Sequence, residues 1–423
     1  MPEICGNVLV LNIGSSSIKY ELLRMGGSRR LAVGLVERIG EQEEGSLTHR
    51  PADRPTYERR GSYPDHHAGM KAVLAAFASA GPDLDHIRLD AVGHRVVHGG
   101  DRFGGPVLLD DDSINAIEDL AVLAPLHNPA NVTGIRVARR LFPGVPQVAV
   151  FDTAFHRTLP PAAHTYAVPR EWTRDHGVRR YGFHGTSYAY VSRRAAALLG
   201  RDLTELNLIV LHLGNGASAA AIEGGRSVDT SMGMTPLEGL VMGTRSGDID
   251  PALPAFLERT AGLGPAEVET ALTTRSGMLA LAGSSDMREV HAKADAGDDA
   301  AGLALRVYWH RIRKYVGAYY ALLGRVDAIV FTAGVGEHDA RTRAASLAGL
   351  HRLGIAVDAA RNEATDGPRE RPISPPGAEV TVLVIPTDEE LEIAVQALEA
   401  AQAAPPVREE EHNHHRGDRA NTP

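Results

Sequence analysis

NVLVLNIGSSSIKYELL, residues 7–23, sets an apolar run against a second alternating run across a turn made of Gly14 and three serines. That pattern predicts a β-hairpin with an unusually polar turn. The stretch LNLIVLHLGNGASAAAI (206–222) repeats the design 200 positions later. Val10 falls over Val210, Leu11 over Leu211, Ile13 over Leu213 and Gly14 over Gly214. Two copies so far apart predict two related halves rather than one enlarged core. The 423 residues agree, at about 150 residues per domain.

Working outward, four more apolar runs read as strands: 89–100, 146–156, 325–338 and 379–390. They end on His98-Gly99-Gly100, on Asp152, on Gly334-Val335-Gly336 and on acidic residues, respectively. In open α/β sheets ligands sit beyond the carboxyl ends of strands, so these ends are candidate site segments. Helices are expected from Asn128-Pro129 to about Phe142, from Thr186 or Ser187 to Gly200, and from Asp250-Pro251 to about Gly262. Thr387-Asp388-Glu389-Glu390 reads as a capping box, with Thr387 as N-cap, before LEIAVQALEA. The charged 36–68 stretch reads as exposed hairpins or loops, and the polar tail 403–423 as disordered. The fold class is α/β.

Composition removes several functions. Hydrophobic residues are 43% and charged residues 23%, as in a globular protein. The net charge of −9 argues against a nucleic-acid binder acting through bulk positive charge. One cysteine, Cys5, allows neither an intrachain disulfide nor a cysteine metal cage. No apolar run approaches the roughly 18 residues that span a bilayer, and the N-terminus lacks a secretory pattern. A cytoplasmic protein with no membrane partner is expected.

Neither GxxxxGK[ST] nor GxGxxG is present, since Gly214-Asn215-Gly216 lacks the third glycine. A hairpin cradle remains, in which backbone N–H groups and serine hydroxyls meet a phosphate beside a lysine. Asn12, Ser15, Ser17 and Lys19 fit it, and lysine is rare here: four of 44 basic residues. A serine-rich turn with a solvated lysine is the plain alternative. Arg95, before His98-Gly99-Gly100, and Arg245, in MGTRSGDIDP, sit where backbone can pass close to an anion. The alternative for Arg245 is a salt bridge to Asp248 or Asp250, and for Arg95 another carboxylate. His127 and His184 precede predicted helix starts, where anionic oxygens are favoured. Asp152 and Glu389, at strand ends, look like magnesium partners, because that ion is usually held by one or two carboxylates plus phosphates. Metal-ligand spacings such as HExxH are missing, so zinc is not expected.

NIGSSSIKY (12–20), GHRVVHGG (93–100), PLHNP (125–129), VFDTAFH (150–156), RRYGFHGTS (179–187), HLGNGAS (212–218), DTSMGMTPLEGLVMGTRSGDIDP (229–251), SSDMRE (284–289), TAGVGEH (332–338) and PTDEE (386–390) together resemble the acetate and propionate kinase family. The resemblance runs from Asn12 to about Glu390, and the block at 229–251 is its most specific part. It implies membership of the sugar kinase, heat-shock chaperone and actin superfamily. Two duplicated actin-like (ribonuclease H-like) domains with mixed β-sheets flanked by helices would then enclose an interdomain cleft. The implied division is 1–154 with 387–402 against 155–386 on the nucleotide side. The implied reaction is ATP + acetate ⇌ ADP + acetyl phosphate in a homodimer, with Mg2+, or Mn2+ in its place; propionate kinase is the near alternative.

Carried residue by residue, the resemblance implies Asp152 as the catalytic carboxylate, and His184 and Arg245 as stabilisers of the transition state. Asn12 and Glu389 would hold the metal, and Arg95 would contact substrate. Val97, Leu126, Phe183 and Pro236 would form a methyl pocket. Lys19, with Ser15 and Ser17, would serve the nucleotide. So would His212, Leu213, Gly214, Asn215 and Gly216, then Asp286, Met287 and Arg288, then Gly334, Val335, Gly336, Glu337 and His338. The chain departs from the family where it has His338 and Asp388 in place of Asn, and Tyr188 in place of His. A nucleotide-gated scaffold would share the hairpins without the Arg95, Arg245 and His184 cluster; a non-catalytic anion binder would not need Asp152 and Glu389.

Overall fold

The structure is a computed structural model that describes residues 4–403. Beyond Ala403 the expected tail lies outside the described residues. The chain forms two mixed sheets. The first contains β1 (Asn7–Ile13), β2 (Ser17–Arg24), β3 (Arg29–Glu37), β4 (Gly45–Pro51), β5 (Tyr57–Gly61), β6 (Ala91–Val96), β7 (Val107–Leu108) and β8 (Gln147–Phe151), in the order 5-4-3-2-1-6-8-7. The second contains β9 (Asn207–Leu213), β10 (Ala217–Glu223), β11 (Arg226–Thr230), β12 (Ala328–Thr332), β13 (Arg371–Pro372) and β14 (Thr381–Val384), in the order 11-10-9-12-14-13.

The two sheets share one plan. β3-β2-β1 is an antiparallel meander followed by parallel β6 and β8. β11-β10-β9 is the same meander followed by parallel β12 and β14. The duplicated hairpins are therefore the corresponding β1–β2 and β9–β10 pairs. Their turns close alike, with Gly14 N–H donating to Ser17 O at 2.9 Å and Gly214 N–H to Gly216 O at 3.1 Å. The 36–68 stretch forms the hairpin β4–β5, which with β3 widens the first sheet only, but it is not wholly exposed as expected, because Leu47 and His49 of β4 point into the core.

Burial explains why these strands read as continuous apolar runs. Val8, Leu9 and Val10 in β1, and Ile209, Val210 and Leu211 in β9, are all fully buried, because helices cover both sheet faces. The helix Glu389–Ala403 returns from the second sheet to pack on β1, β6 and β8, burying Ile393, Ala394, Ala397 and Leu398. Gly93 in β6 lets it approach: a Cβ there would stand 2.9 Å from Ile393 Cγ2.

Helix bounds follow the sequence signals closely. Asn128–Leu141 ends at Phe142, Gly185–Leu199 at Gly200, and Leu253–Ala261 at Gly262. Two local readings are corrected. The strand expected over 325–338 stops at Thr332, and Gly334-Val335-Gly336 lies in a short helix, Ala333–His338, rather than at a strand end. The C-terminal helix is capped by Asp388, whose Oδ1 accepts the Leu391 N–H at 3.1 Å, not by Thr387. Thr387 Oγ1 is engaged instead by Ser187 Oγ at 2.8 Å.

Candidate active site

The ends of β1, β6, β8, β9 and β12 point their connecting segments at one region. β6 carries Arg95, and β8 ends just before Asp152. The guanidinium grips this carboxylate with both arms, Nε to Oδ1 at 3.1 Å and Nη2 to Oδ2 at 2.6 Å. Its third nitrogen, Nη1, lies 3.4 Å from Asn12 Oδ1 at the end of β1. Asp152 beside it, then Glu389, hold Arg95 more firmly protonated than an ordinary arginine. The carboxylate alternative for Arg95 is thus realised, inside the cluster itself.

Asn131 fixes the two loop ends that frame this pair. Its Nδ2 donates to Ile13 O at 2.8 Å, and its Oδ1 accepts the Val97 N–H at 3.2 Å. Asn131→Ala strands both backbone groups, and a buried unsatisfied group costs about 1–3 kcal/mol. Urea denaturation should show a lower midpoint with an unchanged slope; an unaltered midpoint would remove this role.

Near Arg95, whose charge reaches its ring, lies His184. It sits at the N-terminus of the helix Gly185–Leu199 in the left-handed region, φ 59°. A non-glycine residue there is uncommon and marks a constrained site. The constraint is visible next door. Gly185 N–H donates to Asp152 O at 2.8 Å, and a Cβ on Gly185 would meet that oxygen at 2.3 Å. Helix start and β8 end are thereby locked together. His156, fully buried, adds a strut through Nε2 to Phe183 O at 2.9 Å.

The His184 and His212 rings stack at 4.1 Å with 19° between planes. Both are driven neutral. Burial pushes His184 well below its usual value, aided by His212, Arg95 and Arg245. Burial, then Arg95, pulls His212 to about 3. His127 is also lowered, by burial and by Arg245 and Arg95, which places it among the cations.

Arg245 lies on the 229–251 segment. Asp248 is already taken by the Gly239 N–H at 2.8 Å, by the Tyr315 hydroxyl at 3.0 Å and by Arg311 at 3.4 Å. Asp250 instead accepts the Ala252 N–H at 2.8 Å, so neither carboxylate of the salt-bridge alternative pairs with Arg245. Among the described residues, Arg245 hydrogen-bonds Pro236 O at 3.0 Å and lies 3.8 Å from Met242 Sδ, with no carboxylate partner. Burial alone lowers its proton affinity. The missing side chain of Gly216 keeps the gap open: a Cβ there would lie 3.4 Å from Arg245 Nη1 and 3.5 Å from His184 Nε2. Arg180, which the sequence reading passed over, organises this segment by donating to Thr230 O, Ser231 O and Met232 O and pairing with Glu238.

Glu389 begins the C-terminal helix and is touched by Thr186 Oγ1 at 3.4 Å. Burial, opposed by Arg95 and aided by Asp152 and Glu390, raises its pKa to about 7. Oxygen donors with excess negative charge fit a hard divalent cation held by few protein ligands. Among the described residues no group of three His, Cys, Asp or Glu could hold a metal. Lys19 is paired with Glu390, which gives Glu390 a partner other than the expected cap.

A cavity of about 670 Å3 opens beside the cluster, lined by Gly214, Asn215, Asp286, Met287, Arg288, Gly334, Val335 and His338. Eight of the expected nucleotide-side residues thus share one wall. Leu213 is in the core, Gly336 is buried, and Glu337 accepts the Thr387 N–H at 3.2 Å. Ala333, at the edge of this wall, is left-handed like His184, φ 64°. Phe183 is buried and Val97 and Pro236 partly so, whereas Leu126 is 67% exposed. Ser15 is exposed and Ser17 half-buried on the β1–β2 turn.

Two sheets of one topology, facing a centre of paired and unpaired arginines, define an actin-like α/β protein with an anion-gathering site. The chain belongs to the acetokinase family, whose model matches residues 7–395. Acetate kinase of Streptomyces avermitilis is 58% identical over 390 residues, covering 92% of this chain and 96% of that protein. Acetate kinase of Clavibacter michiganensis is 59% identical over 393 residues, covering 93% and 98%. Among solved structures, Porphyromonas gingivalis acetate kinase superposes with a TM-score of 0.89 at 44% identity, covering 93% of this chain and 99% of that one. A propionate kinase from Francisella tularensis gives 0.87 at 40% identity, covering 93% and 99%. No helix among the described residues is long and apolar enough to cross a membrane.

Proposed function

We propose that the protein catalyses the reversible transfer of the γ-phosphoryl group of ATP to acetate, giving acetyl phosphate and ADP by direct in-line displacement. The observation that carries this reading is Arg245: a half-buried guanidinium with no carboxylate partner among the described residues, beside the His184 ring and near Arg95. A cation left uncompensated in a protein is well placed for an anion that arrives.

Acetate needs no general base, because carboxylic acids titrate near pH 4 to 5 and the nucleophile is already ionised at pH 7. The remaining task is to bring two anions together and to spread charge over the travelling group. Arg95 binds the acetate carboxylate, oriented by Asp152, and Val97, Phe183, Pro236 and Leu126 receive the methyl group. Arg245 and neutral His184 donate to the phosphoryl oxygens. Asn12, Glu389 and Asp152 would hold Mg2+, or Mn2+ in its place, which would offset phosphate charge. Lys19, Ser15 and Ser17 act from the first sheet toward the nucleotide, whose base and ribose occupy the cavity lined by Asn215, Met287 and Val335. We assign the division 1–154 with 387–402 against 155–386, a homodimeric state and a cytoplasmic setting on the same reading.

The deciding experiment gives purified protein ATP, Mg2+ and acetate and traps acetyl phosphate with hydroxylamine, with ADP and acetyl phosphate for the reverse direction. Product in neither direction refutes the assignment. One methylene is worth about 1–3 kcal/mol in an apolar pocket, so kcat/KM should favour acetate over propionate by about tenfold or more. A ratio at or below one would make the propionate reading the better one. With Leu126 exposed, the pocket needs closure; scattering with ADP, acetate and aluminium fluoride should show a smaller radius of gyration than the free protein.

A further inference from the structure

The hydroxyls behind His184 form a one-way chain. Ser218, on β10, places Oγ 2.8 Å from His184 Nδ1, and the Tyr188 hydroxyl lies 2.5 Å from the same Oγ. Ser218 and Tyr188 are fully buried. Among the described residues Ser218 is the only partner of the Tyr188 hydroxyl.

We propose that Tyr188 and Ser218 are positioning residues that hold His184 as the tautomer protonated on Nε2, so that its N–H faces the phosphoryl position. The direction follows from counting protons. A buried phenol with one neighbour must donate to it, or its proton is stranded. Ser218 Oγ then accepts from Tyr188 and turns its own proton to the other neighbour, His184 Nδ1. An imidazole that accepts at Nδ1 carries its proton on Nε2. That nitrogen is the one near Gly216 and Arg245: the Cβ position of Gly216 is 3.5 Å from it. Burial keeps the phenol protonated and the imidazole neutral, so both ends of the chain stay fixed.

A neutral imidazole at position 188 could either donate to or accept from Ser218. A phenol at this position can only start the chain in the stated direction. Tyr188 shares the helix Gly185–Leu199 with His184 and lies one turn on from it, while Ser218 reaches across from β10. The hydroxyl chain therefore also fixes the ring of a residue already held at φ 59°.

The proposal rests on His184 acting as the donor to phosphoryl oxygens, so its test reads the tautomer directly, without turnover. Protein labelled with 15N-histidine is studied by long-range 15N–1H correlation, with His184→Asn identifying the signal. The parent should show His184 protonated on Nε2. Tyr188→Phe and Ser218→Ala should give a mixed or Nδ1-protonated ring. Loss of one preorganised donor costs on the order of 10² in rate, so kcat of Ser218→Ala should fall by about that factor. KM for acetate and ATP should stay within about twofold, since the contact matters mainly in the transition state. Tyr188→His, whose imidazole can still supply a proton, should recover most of the loss seen in Tyr188→Phe. An Nδ1-protonated ring in the parent, or unchanged tautomer in both Tyr188→Phe and Ser218→Ala, overturns the proposal. A shifted tautomer with unchanged kcat upholds the chain and refutes the donor role of His184 instead. Should Ser218→Ala fail to fold, Tyr188→Phe gives the same readout.

Discussion

Arg245→Ala is expected to fold like the parent and to lose kcat by at least about a thousandfold, as for an arginine acting on a phosphoryl transition state. That factor corresponds to about 4 kcal/mol of barrier. The structural part of the expectation rests on the absence of a carboxylate partner among the described residues: the change strands no buried anion there. What is lost is one hydrogen bond to Pro236 O, worth about 1 kcal/mol. An arginine committed to a salt bridge would behave in the opposite way, losing stability with little effect on rate. Steady-state kinetics beside a thermal melt separate the two. A variant within tenfold of the parent would remove Arg245 from the chemistry. Arg245→Lys should recover only part of the rate, because a single ammonium cannot match the two-armed donor.

The duplicated architecture was legible because it is written locally. A period-two apolar pattern, a polar turn and a glycine recur at 7–23 and 206–222, and each forms the middle of a sheet of the same plan. Strand ends were legible too, since Asp152 and Gly334 follow fully buried runs. What stayed hidden depends on distant partners. Thr387-Asp388-Glu389-Glu390 satisfies a capping box by spacing, yet Ser187, 200 residues away in sequence, claims the Thr387 hydroxyl and Asp388 becomes the cap. Nothing near Arg245 in sequence reveals that Asp248 is already occupied by Tyr315 and Arg311. Likewise Tyr188 stands out in the sequence only as a departure from the family pattern, and nothing there links it to Ser218 until β10 and the helix Gly185–Leu199 bring the two together behind His184. The Gly334-Val335-Gly336 helix was missed because two glycines argue against helix, while packing beside Phe331 and Leu211 supplies what propensity lacks.

Asp152→Asn should lower kcat by about a hundredfold or more, the scale of losing one preorganised electrostatic contact, and should flatten the response to Mg2+. The amide keeps the shape but can accept through one atom only, so one arm of Arg95 faces a donor. Breaking one side of a buried ion pair costs about 3–5 kcal/mol, and Arg95 is only partly exposed, so the lower half of that range is expected. Glu389 provides an independent reading of the same charge. Its folded pKa is raised to about 7 from 4.5. A carboxyl raised on folding contributes stability that is complete below its unfolded value and is lost as pH rises through the folded one. In metal-free parent protein this group therefore makes stability fall between about pH 4.5 and 7. Removing the Asp152 charge removes one of the repulsions that hold Glu389 up, so that fall should shrink in Asp152→Asn. Urea titrations in EDTA at pH 5.5 and 8 would measure it. Equal slopes in both proteins, together with normal Mg2+ dependence and rate, would separate Asp152 from Glu389 and from the transfer.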